Sequence, residues 1–144
     1  MIESKVLKSV LNNDHHGAYK LWKTDEKKCR QLISQSKLKN HFLRLLSLNT
    51  TFKMNGLQDY LAKEEIRLRL KNSYAIKLSK DLDRAKVKHI IIKGPAISSL
   101  YYDNQWDRNF SDIDILISLE EKIKFYKFLE IKKLNLKNNI EFIG

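Results

Sequence analysis

Residues 90–118 read I-I-I-K-G-P-A-I-S-S-L-Y-Y-D-N-Q-W-D-R-N-F-S-D-I-D-I-L-I-S. An apolar, β-branched run, Val87 to Ile92, opens the stretch. It is short and apolar on both faces, which predicts a central strand in a covered sheet. Lys93-Gly94-Pro95 ends it, and proline suits the first turn of a helix. Ala96, Ile97, Leu100 and Tyr101 give that helix an apolar face. A polar loop with Trp106 and Arg108 follows, and Asp112 to Ser118 reads as a second strand. Side chains at i and i+2 of a strand share a face, so Asp112 and Asp114 project together. Two carboxylates so placed before a buried run are costly unless used, and they form a metal-binding arrangement. Hard oxygen ligands suit magnesium, which bridges phosphates. The glycine before the helix lets backbone approach a phosphate, and the helix N-terminus favours the anion.

Each residue of the stretch also has a plain reading. Lys93 reaches a phosphate, reaches a site carboxylate, or leaves the strand for solvent. Gly94 is a phosphate contact or a tight turn. Arg108 pairs with Asp107 or Asp112, or binds triphosphate. Ser111 is a nucleotide contact or a cap at the start of the strand. Tyr101, Tyr102 and Trp106 are packing residues or a stacking platform.

Outward from this stretch the chain reads as helical. Leu61, Leu68, Ala75 and Leu82 recur every seven residues, predicting one helix over 57–86. Glu64 and Lys71 fall on its seam, which argues for a scaffold helix rather than a zipper. Glu64, Glu65, Arg67, Arg69 and Lys71 read as a solvated charged face. Further helices are predicted over 3–12, from Ala18 to Trp22, after a Thr24 cap, and over 37–54. Downstream, a helix starts at Leu119 and a last strand is expected over 140–143. The fold class is α/β of the α+β kind. A helical region, 1–86, packs on a small sheet with flanking helices, 87–144.

The chain has 144 residues and a net charge of +11. Residues 1–88 hold 20 Lys/Arg against 9 Asp/Glu, so all the excess lies before the carboxylate motif. Such a region attracts a polyanion such as RNA, or is simply a set of solvated helix faces. The single cysteine, Cys29, excludes an intrachain disulfide and a cysteine zinc site, as expected of a reducing compartment. The N-terminus lacks the apolar core of a signal peptide, and no run is long enough to span a membrane. A cytoplasmic protein is expected. The adjacent His15 and His16 cannot share a helix face and have no partner at a ligand spacing.

The order of strand, Lys93-Gly94, tyrosine-bearing helix end (Tyr101-Tyr102), Arg108 and Asp112-Ile113-Asp114 resembles the DNA polymerase β-type nucleotidyltransferase superfamily. Within it, the chain is most similar to the bacterial uncharacterised nucleotidyltransferase family, whose members also carry helices upstream. The resemblance covers residues 70–130 well. It implies transfer of a nucleoside monophosphate from an NTP to a hydroxyl acceptor, with one or two Mg²⁺ ions. Asp112 and Asp114 would be metal-binding and catalytic, and Lys93, Gly94, Arg108 and Ser111 would bind nucleotide. The acceptor would be RNA, a protein or a small molecule. Toxins that modify tRNA ends or proteins belong to the same superfamily.

Two departures stand out. Lys93-Gly94 replaces the superfamily's usual Gly-Ser. The third carboxylate of the pattern has one candidate, Glu141, which also reads as an ordinary surface glutamate. A chain short of its remaining domain would lose activity or need a partner. Two other functions therefore stay open: a non-catalytic nucleotidyltransferase-like binding or regulatory module, and a basic helical RNA-binding protein.

Overall fold

A computed structural model describes residues 2–133. The expected strand over 140–143 and Glu141 lie outside the described residues. The described residues form two compact units, 2–69 with 98–110, and 70–97 with 111–133.

The first unit is helical. It contains α1 (Ile2–Leu11), α2 (His15–Thr24), α3 (Glu26–Ser34), α4 (Lys39–Ser47) and the start of α5 (Leu57–Arg84). Asp14 caps α2, its carboxylate accepting from the Gly17 amide at 2.8 Å. A Cβ at Gly17 would sit 2.1 Å from Asp14 Oδ2, so a larger residue there would have to displace the capping carboxylate. Asp25, not Thr24, caps α3, its carboxylate accepting from the Lys28 amide at 3.0 Å. Thr24 instead ends α2, donating its hydroxyl to the Lys20 carbonyl at 2.8 Å. A non-helical backbone at Asp25 leaves its carboxylate facing the free amides, where a charged acceptor binds more strongly than a hydroxyl. Helix α4 is shorter than the expected 37–54, because Asn49 closes a turn by accepting from the Thr51 amide and hydroxyl. The core includes Val10, Ala18, Trp22, Cys29, Phe42 and Leu46, with Leu57 and Leu61 from α5.

The second unit holds the rest of α5, β1 (His89–Ile92), the start of α6 (Gly94–Tyr101), β2 (Asp114–Ile117), a one-turn 3₁₀ helix (Leu119–Glu121) and α7 (Lys122–Lys132). The heptad seam of α5 is the buried one: Leu61, Leu68, Ala75 and Leu82 are all 5% exposed or less. Leu82, Val87, Ile117, Phe125, Phe128 and Leu129 form the unit's core. Strands β1 and β2 pair antiparallel, with His89 opposite Ile117 and Ile92 opposite Asp114. Among the described residues the sheet has these two strands. One face, with Ile115 and Ile117, enters the core. By alternation the other carries Ile90, Ile92, Asp114 and Leu116. Ile90 is 63% exposed, so the described sheet is not the covered one expected from its apolar sequence.

Candidate functional site

The register of β1 on β2 builds the site. Ile92 pairs with Asp114, so the residue after β1 lies next to the carboxylate that opens β2. That residue is Lys93, whose φ of 54° is left-handed. A non-glycine residue there carries strain, of the kind that clusters at functional sites. The turn reverses the chain into α6, which begins at Gly94, and the Ile97 amide donates to the Lys93 carbonyl at 2.7 Å. Gly94 and Pro95 are buried, so the backbone at the head of α6 packs tightly. The left-handed residue is thus Lys93, and Gly94 serves as the first residue of the helix.

Lys93 reaches back over the sheet edge, with Nζ 3.5 Å from Asp114 Oδ1. The lysine side chain is 66% exposed and the aspartate 33%, so solvent weakens the pair. Asp112 lies just before β2, exposed, and Oδ1 accepts from the Ser111 hydroxyl at 3.1 Å. The Lys71 ammonium donates to the Ser111 carbonyl at 3.1 Å and anchors the backbone leading to Asp112. Lys93, Gly94, Ser111, Asp112 and Asp114 therefore all belong to the second unit. Arg108 belongs to the first, half-buried, and the neighbouring Asp107 is held by Arg44 Nε.

Asp114 opens β2 and Asp112 precedes it by two residues, and carboxylate oxygens are the donors a magnesium-type cation takes. Such an ion needs only one or two protein carboxylates when substrate phosphates and water complete its shell. Among the described residues no third His, Cys, Asp or Glu joins them.

The charged face of α5 differs from the solvated face expected. Arg67 forks onto both oxygens of Glu64, at 3.0 and 2.8 Å, and also donates to Asn109 Oδ1 and the Phe110 carbonyl. Arg69 stacks on the Trp106 ring, 4.7 Å from its centre. Arg44 binds Asp107, and the His41 amide donates to the Asp107 carbonyl at 3.1 Å. The Ser98 hydroxyl donates to the Gln105 carbonyl at 2.5 Å. Arginine forks thus pin the loop that precedes the aspartates. The sequence signal was available: Glu64, on the apolar seam, needs a partner when half-buried. The Arg67 hydrogen bond, foremost, holds the Glu64 carboxyl below its ordinary value. Tyr101 is 78% exposed, Tyr102 lies 5.9 Å from the His41 ring, and Trp106 has one face covered by Arg69.

The family model described as "Uncharacterised nucleotidyltransferase" matches residues 29–131, most of the chain. Neither the search of curated proteins nor that of solved structures returned a match.

Proposed function

The chain belongs to the uncharacterised nucleotidyltransferase family, and from that premise we propose that it transfers a nucleoside monophosphate from an NTP to a hydroxyl acceptor, dependent on Mg²⁺. The observation that carries this reading is the β1–β2 register. It sets the Lys93-Gly94 turn and the head of α6 beside Asp114, the carboxylate that opens β2 and that Asp112 precedes by two residues.

Asp112 and Asp114 would hold one or two magnesium ions, whose chemistry is to neutralise phosphate charge and favour in-line displacement. The head of α6 favours the triphosphate through its helix dipole. Lys93 would exchange its Asp114 contact for a phosphate oxygen. Ser111 fixes the Asp112 carboxylate. The acceptor oxygen bonds to the α-phosphorus, and its proton passes to a carboxylate oxygen of the pair. The α-phosphorus bond to the bridging oxygen breaks, and pyrophosphate leaves with the electron pair. Glu141 is the proposed third carboxylate. The excess of lysine and arginine in residues 1–88 favours RNA as acceptor over a protein or small molecule, consistent with a toxin-type enzyme acting in the cytoplasm.

The test is incubation with each α-labelled NTP, Mg²⁺ and cellular RNA or lysate. Label should enter a macromolecular product with the wild type and not with Asp112→Ala or Asp114→Ala. Labelling that survives both substitutions refutes the proposal.

A further inference from the structure

Within the helical unit, a cavity of about 300 Å³ opens among α2, α3, α4 and the start of α5. Its floor is apolar: Ile33, Leu43, Met54 and Leu57. Two cations stand on its walls, each laid on an aromatic ring. The Arg30 guanidinium lies 4.8 Å from the Trp22 ring centre, and Lys39 Nζ lies 4.6 Å from that of Tyr60. Among the described residues no carboxylate lines the cavity. Arg30 shares its charge with Glu26 at 2.7 Å, whereas Lys39 has no ion pair among the described residues.

The surroundings extend this charge. From Trp22 through Lys39 the chain has six basic residues and two acidic ones. Both acids are engaged locally, Asp25 as the α3 cap and Glu26 on Arg30. Lys23, Lys27, Lys28 and Lys37 are exposed, and among the described residues none has an ion pair. An apolar slot with cations on its walls fits a flat apolar body carrying an anionic group. Lys23 Nζ lies 5.1 Å from the Tyr19 ring centre, and exposed lysines so close in sequence to the cavity residues fit a ligand whose negative charge repeats.

We propose that this cavity docks one nucleotide of a single-stranded nucleic acid. The base enters the apolar slot against the Arg30 guanidinium plane, a surface on which bases stack. Its phosphates lie on Arg30 and Lys39, and the neighbouring lysines follow the backbone. Ser34 and Asn55 on the wall supply hydrogen-bonding groups for the base edge. The volume, at the low end for ligand sites, admits one nucleotide and excludes a stacked duplex. This deepens the acceptor side of the reading above and rests on it.

The experiment is fluorescence anisotropy of a labelled single-stranded RNA of about ten nucleotides, titrated with the full chain at about 50 mM salt without NTP or Mg²⁺. Lys39→Glu and Ser34→Trp, which fills the cavity from an exposed position, should each weaken binding at least about tenfold. Lys5→Glu on α1 makes the same charge change away from the cavity and should cost at most about twofold. Three outcomes overturn the proposal: no RNA binding, equal losses from Lys39→Glu and Lys5→Glu, or AMP alone binding as tightly as the oligonucleotide. RNA binding that ignores Lys39 and Ser34 while labelling persists sinks only this site. Cavity-dependent binding with no NTP-dependent labelling sinks only the transferase reading.

Discussion

Replacing Arg67 by alanine tests whether the arginine forks of α5 hold the loop before the carboxylate pair. Arg67 makes a bidentate pair to Glu64 and two further bonds, to Asn109 and the Phe110 carbonyl. A hydrogen bond to a charged group contributes about 1.5–3 kcal/mol net, and a neutral one about 1. The side chains of Arg67 and Glu64 are 34% and 19% exposed, so solvent screening trims the pair toward the lower end. Losing the pair and both loop bonds then costs about 3 kcal/mol. With a urea m-value near 2 kcal/mol/M, the midpoint falls by about 1.5 M. The corresponding drop in Tm is about 6–12 °C. Arg67→Lys keeps the charge but cannot fork, and should recover at most about half. The pH dependence is a second readout. The Glu64 carboxyl titrates below its ordinary value because of Arg67, so its contribution is present above pH 4.5 and is lost as pH falls below that. In Arg67→Ala that acid-side slope should flatten. A midpoint shift worth less than about 1 kcal/mol, with the slope unchanged, would refute the anchoring argument.

Three further outcomes are expected. Lys93→Gly should raise stability by about 0.5–1 kcal/mol in urea unfolding, since glycine adopts φ 54° without strain. The same variant should reduce NTP-dependent labelling through loss of the ammonium beside Asp114. Asp112→Asn and Asp114→Asn should each lower label transfer by at least about a hundredfold, with far-UV circular dichroism unchanged. Burial pushes the His41 imidazole below its ordinary value of 6.5, against opposing attraction from Asp107 and Asp103, while Arg44 pushes the same way as burial. Folding therefore disfavours its protonation, so stability should be highest above pH 6.5 and decline as pH falls below it. His41→Asn should remove that decline, and NMR titration of the His41 ring should report the lowered value.

Much of the fold was legible in the sequence because it rests on local periodicity. The seven-residue repeat of Leu61, Leu68, Ala75 and Leu82 located the long helix and its buried seam. The apolar runs before Lys93-Gly94-Pro95 and before Ser118 located the two strands. The Asp-x-Asp spacing led to an expected same-face pair on the same grounds, side-chain alternation along an extended chain; the structure has Asp114 opening β2 and Asp112 just before it. The family match agrees with what those residues resemble.

Other features depended on partners distant in the chain, which periodicity does not encode. Charge pattern alone made Arg67 and Arg69 a solvated face. Only the fold returns Asn109, Phe110 and Trp106 to them, turning surface charges into anchors for a loop. The strain at Lys93 was equally hidden, since a lysine before Gly-Pro gives no sign that it, and not the glycine, takes the left-handed turn. The Lys93–Asp114 contact spans 21 residues and follows from strand register. By itself the sequence determined which residue types could hold a cation and a phosphate. Tertiary structure decided which of them meet, because side-chain contact depends on register and packing between elements, whereas sequence spacing constrains only neighbours within one.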